Sequence, residues 1–264
     1  MSDPGSFAAL PFLLCLAAAA GYYFRSRLPE RHRSRESIEL VQVTITLLAT
    51  FAAIVLGLLT DSVRAGFDRA YTARGTFAAH LAQTDQCLRD FGPETDPIRV
   101  QLRSYVAAAI ASTWPDEAPP AGVSYPDTSH MPRVGESAVL GSILNNVGSE
   151  IRLLQPKDPL RQALQADCAH QYDDLVKSRW MVIEEARGSI SQPFYWVLVI
   201  WLVILFACLG LSAPADVMTG VVIGLAIISI SIAVFVILDL DEPYGGLFGI
   251  PSDSMRNALA DMAR

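Results

Sequence analysis

Asp167, Cys168, His170, Asp173 and Asp174 form the densest group in this sequence that could do chemistry. His170 and Asp174 stand four apart, which puts them on one face of a helix, as metal-ligating pairs often are. Cys168 lies two residues before His170 and points elsewhere, and His80 would have to join from a distant helix. The group is therefore read as solvated helix surface rather than a metal centre. Cys87 and Cys168 admit a second chemistry, a disulfide, if they face an oxidising compartment. Sequence cannot bring two sulfurs within bonding distance, so a pair of free, half-buried thiols is the favoured reading and the disulfide stays open beside it. Asp239, Asp241 and Glu242 offer opposed carboxylates, yet no base, metal ligand or pocket pattern accompanies them. Acids at a helix C-terminus oppose its dipole, so a cationic partner such as Arg256 is expected for them. No nucleophile elbow, phosphate loop, His-Glu-x-x-His or Cys-x-x-Cys pair occurs. No catalytic residue, metal or cofactor is assigned, and the chain is not expected to be an enzyme.

The elements that would position these residues are dominated by apolar runs. Gly188 to Ala215 and Val217 to Leu238 contain no charged side chain. About 20 apolar residues cross the ~30 Å hydrocarbon layer, so each run is long enough to span a bilayer. Pro214, near Ser212 and Asp216, ends the first run and lets the second start in the opposite direction. A third uncharged run covers residues 4–24 and is read as a retained anchor, because no positive charge precedes it as in a cleaved signal. Tyr22 and Tyr23 then suit the membrane interface. Residues 25–39 hold Arg25, Arg27, Arg31, Arg33 and Arg35, and a fourth span follows at 40–60.

In that span Gln42, Thr46, Thr50, Ala53 and Gly57 recur every three or four residues and share one face. The face reads either as the lining of a water-filled path or, more ordinarily, as helix packing through small residues. Gly220 and Gly224 make a similar small pair in the last span, 217–238, which pairs with 193–212. None of the four spans carries an ionisable residue, which argues against a proton relay.

Residues 61–192 are expected to form a helical extramembrane domain between the second and third spans, so the fold class is all-α. Val63, Phe67, Tyr71, Phe77, Leu81, Leu88 and Phe91 trace an apolar stripe at helical spacing. Gly92-Pro93 ends it. Asp96-Pro97 and Asp158-Pro159 each open a further helix, and a weaker one is predicted over 135–154. Five prolines between Trp114 and Arg133 mark a loop. Residues 239–264 are a C-terminal motif with a short helix.

Composition agrees with a membrane protein. Of 264 residues, 52% are hydrophobic and 18% charged, so much of the polar surface of a soluble protein is missing. The net charge of −7 and the lack of a basic, aromatic-interleaved patch exclude nucleic acid as an expected partner. The lipid bilayer is the expected partner. Arg-rich short loops stay cytoplasmic, so the arginine loop is predicted inside and residues 61–192 outside, in a multi-pass protein of the inner (plasma) membrane.

Leu238-Asp-Leu-Asp-Glu-Pro-Tyr-Gly245, then Ile250-Pro-Ser252 and Met255-Arg-Asn-Ala-Leu259, resembles the ending of a bacterial membrane family called bestrophin-like. Within it Leu238, Asp239, Asp241, Pro243, Tyr244, Gly245 and Ser252 carry the motif. Gly92-Pro-Glu, Leu102-Arg-Ser-Tyr105, Trp114-Pro115 and Arg179-Trp180 look similar too. The chain departs in having Tyr244 for the usual Phe, an added Gly246, and Pro251 before Ser252. It also lacks an acid that many relatives place near Arg74–Thr76. The resemblance implies a homo-oligomeric anion channel whose second helix lines the pore, and it would put the helical domain in the cytoplasm, against the arginine loop. Two functions are thus expected: a channel passing small anions, or a membrane-anchored scaffold whose helical domain binds a protein partner.

Overall fold

A computed structural model describes residues 4–27, 35–188, 192–214 and 216–264. Arg31 and Arg33 of the arginine loop lie outside the described residues. The fold is all-α, with eight α-helices and one 3-10 turn and no strand among the described residues. Four helices there are long and apolar enough to cross a membrane. The chain divides into two compact units, Met1–Ala65 with Ser189–Asp241 and Gly66–Gly188 with Glu242–Arg264.

The first unit holds α1 (Pro4–Arg27), the first part of α2 (Arg35–Phe91), α6 (Gln192–Ser212) and α7 (Val217–Leu240). α1 and α6 approach closely because both carry small residues at the contact. A Cβ on Gly21 would run into the Ala207 carbonyl, and one on Gly210 into that of Ala18. Leu14, Leu198, Leu202 and Phe206 are buried where these helices meet. Arg25 and Arg27, expected in the loop, form the last turn of α1 instead. Arg25 donates from Nη1 to the carbonyls of Ser212 (2.8 Å) and Ala213, at the end of α6, where a helix C-terminus attracts cations. Asp216 caps α7 by accepting from the Thr219 amide at 3.2 Å. α7 continues two residues past Leu238, so Asp239 sits buried in its final turn.

The second unit holds the rest of α2, α3 (Asp96–Thr113), α4 (Ala138–Leu153), α5 (Pro159–Glu185) and α8 (Asp253–Met262). Its core joins Leu81 and Leu88 of α2 to Leu102 and Ile110 of α3, Val147 and Ile151 of α4, Leu175 of α5 and Met262 of α8. α2 does not bury the whole expected stripe. Tyr71 is exposed and Ala70 takes the inward place, because the buried step runs through 63, 66, 70, 73–74, 77–78, 81 and 84–85. Gly92 ends α2 at φ +132°, a conformation a side chain would strain. Thr95, rather than Asp96, is the residue before α3, and its hydroxyl donates back to the Gly92 carbonyl at 2.7 Å. Asp158 caps α5 through the Arg161 amide. The C-terminal tail belongs to this unit, because Met255, Ala258 and Met262 give α8 one buried face.

Candidate functional site

In the first unit, Gln42, Thr46, Thr50, Ala53 and Gly57 share one face of α2 and are all exposed. A Cβ on Gly57 would meet nothing within 4 Å. The Thr46 hydroxyl donates to the Gln42 carbonyl at 3.0 Å, and the Thr50 hydroxyl to the Thr46 carbonyl at 2.8 Å. Each hydroxyl proton is thus satisfied within the helix, and the oxygen lone pairs remain for water or a neighbour. A second flank of α2 (Val43, Leu47, Phe51, Ile54 and Leu58) is apolar and also exposed. The third side, with Ala52, Leu59 and Val63, is buried in the unit's core. Gly220 and Gly224 of α7 likewise have nothing within 4 Å of an added Cβ.

In the second unit, three arginines and several aromatic rings line a cavity of about 80 Å³. Arg74 comes from α2, Tyr105 from α3, Trp114 from the end of α3, Arg179 from α5 and Tyr244 from the C-terminal motif. Arg179 is compensated: its Nη2 donates to Glu136 at 2.9 Å and its Nε to the Tyr105 hydroxyl at 3.2 Å. Arg133, at the exposed rim, pairs with Asp116.

Arg74 differs. It is 3% exposed, its Nη1 donates to the Pro251 carbonyl, and its guanidinium carbon lies 5.7 Å from the Trp114 ring centre and 5.4 Å from that of Tyr71. No carboxylate among the described residues is within ion-pair distance of it, and its Nε has no partner. Burial draws its pKa down from the ordinary arginine value, against the opposing pull of Tyr244, Tyr71, Asp253 and Glu117. The Tyr244 hydroxyl, 7% exposed, has no partner either.

The C-terminal motif holds this region together. Trp114 Nε1 donates to the Ile250 carbonyl at 2.8 Å, and the Trp114 and Tyr244 rings meet edge to face at 5.7 Å. Glu117 accepts from the Ser252 hydroxyl and, at 3.1 Å, from Arg256. Burial alone would raise the Glu117 pKa, but these hydrogen bonds from Ser252 and Arg256 hold it below the ordinary carboxylate value. Arg256 is therefore engaged by Glu117 and Ser252, partners that the sequence did not suggest for it.

Cys87 and Cys168 are joined in a disulfide, with Cα atoms 5.6 Å apart. Free thiols were the favoured sequence reading. The structure differs because α2 and α5 pack side by side in the unit's core, where both cysteines are buried. The other residues of that group go separate ways. His170 contacts Asp174 at 3.3 Å on the exposed face of α5, Asp173 pairs with Arg152 at 2.7 Å, and His80 lies 3.2 Å from the Asp174 backbone carbonyl rather than from its carboxylate. The sequence reading missed Arg74 as a site residue. The signal was available, since the α2 stripe at three- and four-residue steps passes directly through position 74.

The family model described as Bestrophin-like domain matches residues 12–255. Among solved structures, a variant of a bacterial bestrophin homolog from Klebsiella pneumoniae superposes with a TM-score of 0.69 at 18% identity, over 100% of this chain and 99% of that one. A second variant of it gives 0.65 at 18% identity, covering 96% and 98%. A structure described only as a membrane protein gives 0.65 at 17% identity, covering 96% and 97%. No curated protein matches the chain.

Proposed function

The chain belongs to the bestrophin-like family, and from that premise we propose that it assembles as a homo-oligomer whose α2 helices line a path for small anions. The observation that carries this reading is the α2 face from Gln42 to Gly57, which is polar or small and left uncovered by its own unit. A lipid-facing surface would be apolar throughout, as the adjacent flank of Val43, Leu47 and Leu58 is. Contact between copies along such flanks would bring the polar faces together around a common axis, with each threonine proton already satisfied. Purified protein in liposomes should pass small anions, and Ala53→Trp or Gly57→Trp should reduce the flux. Folded protein whose flux equals that of empty vesicles refutes the reading.

The protein sits in this reading in the inner (plasma) membrane as a multi-pass protein, with residues 61–192 outside the cytoplasm. Two features support that side. Arg25 and Arg27 end α1, at the head of the arginine-rich segment, and positive short loops are retained inside. The Cys87–Cys168 disulfide belongs in an oxidising compartment. A Ser129→Cys variant lacking Cys15 and Cys208 should react with a membrane-impermeant maleimide in intact cells whose outer barrier admits the reagent. Ser129 is exposed. Labelling only after lysis reverses the topology.

A further inference from the structure

We propose that the Arg74 cavity of the second unit is a binding site for a small carboxylate with a short alkyl chain, distinct from the α2 face and independent of whether the chain conducts. A buried guanidinium with no acid beside it is costly, and an unpaired donor next to it adds to the cost. Here both occur in one cavity: Arg74 Nε and the Tyr244 hydroxyl are buried without a partner, and both side chains line it. An anion supplies what is missing. One carboxylate oxygen would accept from Arg74 Nε and the other from the Tyr244 hydroxyl, giving two charge-assisted hydrogen bonds.

The rest of the lining selects the chemical class. Phe77, Ala109, Trp114 and Val182 offer apolar surface, so the anion should carry hydrocarbon rather than further charge. About 80 Å³ accommodates roughly six water-sized positions, enough for a short aliphatic acid. Arg179 lines the cavity as well, but Glu136 already compensates it, so it contributes field rather than a free donor. The site is therefore matched to a single negative charge.

The test uses the full-length protein in a neutral maltoside detergent, with propionate as the probe and calorimetric titration as the readout. Propionate should bind saturably at one site per chain, while propionamide, of the same shape without the charge, should not. Tyr244→Phe removes only an unpartnered hydroxyl and should weaken propionate binding about tenfold, the loss of one hydrogen bond to a charged group. Arg74→Gln should abolish binding; should it fail to fold, the Tyr244→Phe comparison decides alone. Three outcomes overturn the proposal: no saturable heat from folded protein, propionamide binding as well as propionate, or unchanged affinity in Tyr244→Phe.

Discussion

Reducing the Cys87–Cys168 disulfide should destabilise the second unit by several kcal/mol, and the magnitude follows from its place in the chain. The bond closes a loop of 81 residues. In the chain-entropy account, a loop of that length removes ~15 cal/mol/K from the unfolded ensemble, or ~4.5 kcal/mol at 25 °C, and measured values for disulfides run about 2–4. For a unit of this size each kcal/mol moves the midpoint by roughly 2–4 °C, so a fall of about 5–15 °C is expected. The assay is thermal melting of the full chain in detergent, followed by circular dichroism, with and without a phosphine reductant. The double variant Cys87→Ala with Cys168→Ala should melt near the reduced protein and should not respond to reductant. Thiol titration gives a second, independent reading. Denatured but unreduced protein should show two reactive thiols, Cys15 and Cys208, and reduced protein four. Four thiols before reduction, or a midpoint indifferent to reductant, would refute the reasoning and remove one of the two supports for the proposed sidedness.

Gly21→Leu or Gly210→Leu should disrupt the α1–α6 contact, where an added Cβ meets backbone, and should lower the yield of folded protein in detergent extracts. Gly220→Leu, in open space, should leave the yield of folded protein unchanged, so equal losses from both would contradict the packing described. Asp85→Asn should cost about 3 kcal/mol in denaturant unfolding, because Asp85, with its side chain 1% exposed, holds Arg89 and Arg99 and its loss leaves charge unpaired near the core. A loss below ~1 kcal/mol would show that the arginines find other partners. Burial pushes both Tyr105 and Tyr244 up to about 12, outweighing the opposing pull of Arg179 on the first and Arg74 on the second. The folded state thus holds these protons more tightly than the unfolded state, whose tyrosines titrate near ~10. Their contribution is full below that value and is lost as pH rises from there towards about 12. Tyr244→Phe should flatten part of that alkaline decline in melting temperature, and an identical decline would show that Tyr244 is not the group responsible.

Much of this architecture was legible because its signals are local. Uncharged runs of spanning length identify membrane helices, and Asp158-Pro159 and Asp216 name their own helix starts, because a cap depends on residues three positions away. The errors fall where the answer depends on distant contacts. Arg256 could have served any nearby acid, and only the fold brings Glu117, 139 residues away, to it. Tyr71 reads as core by its type, yet the helical step places Ala70 inward instead. The disulfide needed α2 and α5 side by side, which no spacing within either helix reveals. The α1–α6 contact was not legible either: Ala18 and Gly21 on one helix, and Ala207 and Gly210 on the other, stand three apart rather than the four of Gly220 and Gly224, and only the fold sets them against each other. That Gln42 to Gly57 share one face of α2 could be read from spacing within one helix, whereas the Arg74 cavity could not, because its lining comes from five separate parts of the chain.

The two buried charges of α2 in the second unit show why that cavity matters. Asp85 is surrounded: Arg99 donates from Nε at 3.0 Å, Arg89 from Nη2 at 3.0 Å, and both arginines also reach carbonyls at the end of α8. That arrangement is what a structural ion cluster needs, with both oxygens of Asp85 taken up, Asp96 accepting from Arg99 as well at 3.3 Å, and the tail helix fixed by its C-terminal carbonyls. Arg74 lies about three helical turns earlier on the same helix and receives nothing comparable. Its support is a carbonyl and two ring faces, which steady a guanidinium without neutralising it. Were Arg74 only a clamp for the tail, a neutral donor would reach Pro251 without bringing a charge into the core. A buried cation kept beside an unused hydroxyl and a cavity is stabilised most by an anion that arrives from outside.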